Sequence, residues 1–103
     1  MPFIIIAHDE TDAEALNRRM EHRPAHLATI KESVEAGKQV FGCAMLGDTG
    51  KMKGSVMVMN YDTREEVDAW LAREPFVTGK VWGNVEIIPI AVPDLFGHLF
   101  PKK

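Results

Sequence analysis

At 103 residues with a net charge of −3, 46% hydrophobic and 26% charged residues, the chain has the length and composition of one globular domain with one core. These values exclude disordered and collagen-like classes. No basic run is longer than Arg18-Arg19 or Lys102-Lys103, so the concentrated positive charge that phosphate-backbone binding needs is lacking and no nucleic-acid partner is expected.

Phe3 to Ala7 is a short β-branched apolar run that ends in His8, Asp9 and Glu10. It reads as a first strand covered on both faces, or on one face and at an interface. It does not read as a cleavable leader, having no basic region before it and no small-residue cleavage site after it, and no stretch approaches the roughly 20 apolar residues that span a bilayer. A cytoplasmic location without a membrane partner is the expectation. Thr11 or Asp12 is placed to cap a first helix from Ala13 to Met20, with Glu14 near the positive end of its dipole. Pro24 lacks an amide donor and disfavours helix at Arg23, which predicts a break, kink or restart there. Beyond it Leu27, Ile30 and Val34 repeat at helical spacing and are expected to face the core, with Gly37 as the C-cap.

Gln39 to Leu46 reads as a second strand, 47–53 as a turn and Ser55 to Tyr61 as a third strand, together an antiparallel hairpin. Cys43, the single cysteine, has no internal disulfide partner. In the apolar run from Val40 to Leu46 a buried, inert thiol is expected. Asp62 or Thr63 caps a helix from Arg64 to Arg73 whose apolar face is Val67, Trp70 and Leu71. Pro75 ends it, Phe76 to Gly79 turns, and Val81 to Val92 forms a last strand with Val85, Ile87 and Pro89 on one side.

The order β, α, β, β, α, β predicts an α+β fold of ferredoxin-like topology, a four-stranded antiparallel sheet with helices on one face. Residues 1–92 form this domain, and 93–103 form a tail. A one-sided helix layer leaves an apolar sheet face that needs a cover. A homodimer through the sheet, with pockets near its interface, is the simplest answer. In the tail, Leu95, Phe96, Leu99 and Phe100 at near-helical spacing predict docking on the domain, the partner subunit or the pocket.

Judged on spacing alone, His26 is a histidine at the edge of the helical stripe, satisfied by one backbone bond. Arg23, three residues earlier, has two readings: a bidentate clamp on a substrate carboxylate, or a surface ion pair with Glu21 or Asp12. Ser55 is either a hydrogen-bond donor to substrate or a structural serine at a strand start. His8 and Asp9 sit where a first strand ends, a position that often lines a pocket. His22 and His26 are four apart, but the expected break at Pro24 spoils a metal face. The loop from Gly47 to Gly54 lacks the phosphate-loop pattern. No cofactor and no metal are expected. The methionines, Trp70 and Trp82 read as core first and pocket wall second.

Three stretches resemble the YciI-like, or YCII-related, family: Arg23-Pro24-Ala25-His26-Leu27, Gly54-Ser55, and Pro75-Phe76-Val77 leading through Gly79 into Val85-Glu86-Ile87-Ile88-Pro89. The resemblance implies a dimeric α+β barrel related to muconolactone isomerase and dehydrochlorinases, with a His and Asp pair at its centre. The histidine falls on His26. The aspartate of the family's Asp-Pro-Phe motif falls on Glu74, so the chain departs there by one methylene, and Asp9 is the alternative carboxylate. The family's glycine-proline after the second strand is replaced by Leu46-Gly47.

The resemblance therefore implies a small enzyme of lyase, isomerase or dehydrochlorinase type, in which His26 moves a proton and Glu74 orients it. Arg23, Ser55, His8 and Asp9 would bind a small organic molecule. The competing reading is a non-catalytic dimeric module that binds the same class of molecule.

Overall fold

A computed structural model describes residues 1–101; the final Lys102-Lys103 pair lies outside the described residues. Strand β1 (Phe3–Asp9), helix α1 (Ala15–Glu35), strands β2 (Gln39–Leu46) and β3 (Met52–Met59), helices α2 (Arg64–Ala72) and α3 (Pro75–Thr78), strand β4 (Trp82–Pro89) and a 3-10 segment, Asp94–Leu99, follow in that order. The sheet order is β2-β3-β1-β4 with every pairing antiparallel. This is the ferredoxin-like arrangement expected from the chain order.

Alternation along β1 assigns the two faces. Phe3, Ile5, Ala7 and Asp9 are buried, Ile4 and Ile6 are half-buried, and His8 is exposed. The inward set joins Met57 and Met59 of β3, Val67 and Trp70 of α2, and Phe76 of α3 in one core. Side chains directly opposite in an antiparallel pair share a face, so the register puts Ile4, Val58, Ile88 and Phe41 together on the other side. Phe41 and Ile88 are exposed there.

Helix α2 begins as its sequence requires: the Thr63 hydroxyl accepts from the Glu66 amide, and the Glu66 carboxylate accepts from the Thr63 amide. That reciprocal cap contributes about 1 kcal/mol. The Trp70 indole donates to the Ser33 hydroxyl at 2.9 Å, which joins α2 to α1 and satisfies a buried N–H.

Helix α1 departs from expectation in three ways. It starts two residues later than expected, after Glu14, and Asp12 instead holds the preceding turn by accepting from the Glu14 amide at 3.1 Å. Its end is as expected, with Gly37 in the left-handed region at φ 73° just past the C-cap Ala36. It also runs unbroken through Pro24. Met20 and Pro24 are both exposed, so the carbonyl that loses its helical donor faces water. Contacts on either side, described below, offset a penalty of about 3 kcal/mol.

The third departure concerns its faces. The buried residues of α1 are Ala15, Arg19, His26 and Ser33, three of them polar. Leu27 and Val34, expected in the core, are 44% and 52% exposed. The helix has its polar stripe against the sheet and its apolar stripe turned toward a groove beside β2. Cys43 is likewise exposed rather than buried, because β2 is an edge strand.

The other boundaries moved little. Strand β3 starts at Met52 rather than Ser55, and β4 spans eight residues, Trp82–Pro89, rather than continuing to Val92. In the tail, the Asn60 side-chain amide donates to the carbonyls of Gly37 and Pro101 at 3.0 and 3.2 Å. Between that anchor and β4, Leu95, Phe96 and Leu99 are exposed. Among the described residues no helix is long and apolar enough to cross a membrane.

Candidate functional site

The site is built where α1 crosses α3. After α2 ends, Glu74 takes an extended conformation and caps α3, its carboxylate accepting from the Phe76 amide at 3.1 Å while Pro75 occupies the first helical turn. Pro at this position sacrifices no helical bond. The same carboxylate oxygen lies 2.5 Å from His26 Nδ1, and Glu74 is fully buried. Glu74 is therefore at once the cap of α3 and the partner of His26.

Close approach of the two helices needs Gly79. A side chain there would come within 2.6 Å of the His22 ring. The Phe76 ring stacks on the His26 ring, with centroids 3.9 Å apart, and Trp82 meets His26 edge-on at 5.9 Å. Aromatic walls on two sides fix the imidazole plane. With Nδ1 committed to Glu74, Nε2 is the ring nitrogen left for other chemistry.

One helical heptad earlier on α1, Arg19 enters the same buried layer. Its guanidinium donates to both Asp9 carboxylate oxygens, at 2.9 and 3.2 Å, and to the Ser55 hydroxyl at 3.0 Å. The Trp82 indole donates to that hydroxyl at 3.3 Å, and the Arg19 guanidinium lies 4.8 Å from the Phe76 ring centre. Burial pushes the Asp9 carboxyl above its usual range, and the Arg19 charge opposes this without cancelling it. Burial likewise lowers Arg19, against the pull of Asp9. Desolvation outweighs the attraction on both partners, as is common for buried ion pairs.

A cavity of about 450 Å³ opens between α1 and β2, lined by Arg19, Arg23, His26, Gln39, Ser55 and the apolar stripe Leu27, Ile30 and Val34. Of that stripe Ile30 packs against the core as the periodicity expects, while Leu27 and Val34 are exposed and form cavity wall. Arg23 reaches the cavity with no ion-pair partner among the described residues, and Asp12 is instead paired with Arg18 at 2.6 Å.

The expected site residues are thus partly brought together. His26, Glu74, Arg23 and Ser55 converge. His8 does not: it is exposed, 3.9 Å from Glu86, and lines a separate groove with Glu10, Thr11 and Lys53. Asp9 lines that groove too and reaches the first cavity only through Arg19. As the alternative partner for His26 it is displaced, because Arg19 occupies its carboxylate.

Arg19 and Gln39 were missed in the sequence. The signal for Arg19 was the seven-residue spacing of Arg19, His26 and Ser33, one polar residue every two turns. Among the described residues no cluster of three or more His, Cys, Asp or Glu side chains is arranged to hold a metal ion.

An antiparallel ferredoxin-like sheet whose one-sided helices enclose a histidine–carboxylate pair beside a small cavity defines a small α+β domain with a built pocket. The chain belongs to the YCII-related family, whose sequence profile matches residues 1–91. It is similar to Protein YciI of Escherichia coli O6:H1, with 28% identity over 95 residues, 86% of this chain and 95% of that protein. It is also similar to the derivative of benzaldehyde biosynthesis cluster protein C of Emericella nidulans, with 35% identity over 72 residues, 63% of this chain and 74% of that protein. Among solved structures, 5-chloro-2-hydroxyhydroquinone dehydrochlorinase (TftG) from Burkholderia phenoliruptrix AC1100, in complex with 2,5-dihydroxybenzoquinone, superposes with a TM-score of 0.80. The identity is 23%, over 92% of this chain and 98% of that one. At that identity the likeness establishes the fold.

Proposed function

We propose that the protein is a small-molecule enzyme in which His26 and Glu74 move a proton, in a lyase, isomerase or dehydrochlorinase type of reaction. The observation that carries this reading is the 2.5 Å contact from His26 Nδ1 to the buried Glu74 carboxylate, with the same ring lining a cavity. A carboxylate on Nδ1 fixes the tautomer with a bare Nε2 and stabilises the imidazolium formed when Nε2 takes a proton. Arg23, with no ion-pair partner among the described residues, supplies a charge for an enolate, phenolate or carboxylate. Arg19 and Ser55 hold the floor of the cavity.

In the proposed step, Nε2 removes a proton from a carbon or hydroxyl activated by a neighbouring carbonyl. The electron pair left behind either shifts a double bond or expels a leaving anion. The imidazolium then returns the proton to product, or releases it to solvent in an elimination. TftG is a dehydrochlorinase whose structure holds a quinone, which is chemistry of this type on the same fold.

The uncovered sheet face around Phe41, Ile4, Val58 and Ile88 is proposed as the homodimer contact, since an apolar face of this kind seeks burial. It adjoins the cavity along the edge strand β2.

Screening small carbonyl acids and halogenated phenols for turnover tests the enzyme reading. His26→Gln should lower kcat by about 10² to 10⁴. Turnover that is indifferent to His26 refutes it. The second reading, a non-catalytic binding module, is favoured by Glu in place of the family's Asp. It predicts ligands that raise the melting temperature of wild type and His26→Gln alike without product.

A further inference from the structure

Gln39 is the first residue of β2 and is 4% exposed, yet its side-chain oxygen has no hydrogen-bond partner among the described residues. Its side-chain nitrogen donates to the Phe41 carbonyl at 3.3 Å. A carbonyl accepts and cannot donate, so this bond fixes which end of the amide is which. The acceptor end is left over on a side chain that lines the same cavity as His26 and Arg23.

Two local irregularities keep the amide there. The register of β2 against β3 shifts between Gln39 and Phe41, a bulge that re-aims a side chain at the sheet edge. A Cβ on Gly42 would approach the Gln39 side-chain nitrogen to 2.9 Å, so glycine leaves the space the amide fills. A buried, unpaired acceptor costs about 1–3 kcal/mol unless a donor reaches it. In a cavity whose other polar groups are mostly cationic or titratable donors, Gln39 is an acceptor with no donor among the described residues.

We infer that Gln39 is a specificity-determining residue that accepts a hydrogen bond from a hydroxyl or N–H group of the ligand. The ligand class is a small carboxylate, carbonyl or phenolate compound that carries a second, donating group. The anionic end meets Arg23 and His26, and the donor meets the Gln39 oxygen. The inference rests on the cavity being the ligand site proposed above, and it adds the donor requirement.

The test is binding of benzoate, 3- and 4-hydroxybenzoate and the matching methoxybenzoates to the full chain by calorimetry, with wild type, Gln39→Met and Arg23→Ala. Benzoate reads the anion site alone. Its binding to wild type and loss in Arg23→Ala supports the cavity as the ligand site, and absence of any benzoate binding refutes that reading together with this one. The hydroxyl increment reads Gln39. At least one hydroxybenzoate should bind wild type about three- to tenfold tighter than benzoate and its methoxy counterpart, the yield of one net hydrogen bond. That preference should vanish in Gln39→Met.

Equal binding of hydroxy and methoxy compounds, or a preference that survives Gln39→Met, overturns the inference. Should Gln39→Met fail to fold, the wild-type Gln39 side-chain carbonyl ¹³C resonance decides. It should shift with hydroxybenzoate and not with benzoate, and identical responses to the two refute the proposal.

Discussion

Helix α1 carries two buried pairs on one face, seven residues apart, and they differ in what a proton can do. Arg19 with Asp9 is a fixed charge whose donors are divided between a carboxylate and the Ser55 hydroxyl. His26 with Glu74 is a titratable ring with one nitrogen engaged and the other beside a cavity. Both pairs tie α1 to the rest of the domain, one to β1 and one to α3. Only the second contains an imidazole, the side chain type most often used to move protons. Under the proposed function the first pair is scaffold and the second carries the chemistry, within a single stripe of residues.

The largest expected effect breaks the scaffold pair. Asp9→Ala leaves the Arg19 charge buried and unpaired and should destabilise the fold by about 3–5 kcal/mol in urea unfolding. Glu74→Gln breaks the other pair differently. Gln keeps the shape and an acceptor for the Phe76 amide, so stability should change by less than about 1.5 kcal/mol, while kcat on any substrate found should fall about 10²-fold or more. If the stability losses are reversed between these two variants, the assignment of roles is wrong.

Acid pH sharpens the contrast between Asp9 and its exposed counterpart, Asp12. Burial raises Asp9 in the fold, so from its usual value of 3.8 upward the folded state holds more protons than the unfolded one, and this group's contribution falls as pH rises. Arg18 holds Asp12 down at about 2, from 3.8. Its contribution is present above 3.8 and is lost as pH falls toward 2. Unfolding measured from pH 2 to 6 should show the difference between wild type and Asp9→Asn declining with pH, and that between wild type and Asp12→Asn rising.

The smallest effect is expected at Trp82. Trp82→Phe removes one donor from Ser55, which keeps the bond from Arg19, and should cost about 1 kcal/mol or less by thermal unfolding.

The fold was legible because its signals were local. The β-branched run of β1, the Thr63 and Glu66 cap, Gly37 and Pro75 each specify an element boundary from a few residues. The contact between His26 and Glu74, which are 48 positions apart and share no local pattern, was legible only through the family resemblance, whereas Arg23 and Ser55 were candidates from their own residue types. Leu27 and Val34 were misplaced, and Arg19 was missed, for one reason. Apolar-inward reading assigns the stripe of Leu27, Ile30 and Val34 to the core, and here a cavity lies against it while the polar stripe is satisfied internally. Pro24 misled in the same way, since tertiary contacts on both sides hold the helix that local propensity would break.

The most direct measurement is the tautomer of the neutral His26 ring, read from long-range ¹H–¹⁵N correlations in wild type and in Glu74→Gln. The account predicts a proton on Nδ1 and a bare Nε2 in wild type, with the population moving toward Nε2–H when Gln replaces Glu74. A wild-type ring protonated on Nε2, unchanged by that substitution, would contradict a carboxylate-oriented proton acceptor at the cavity.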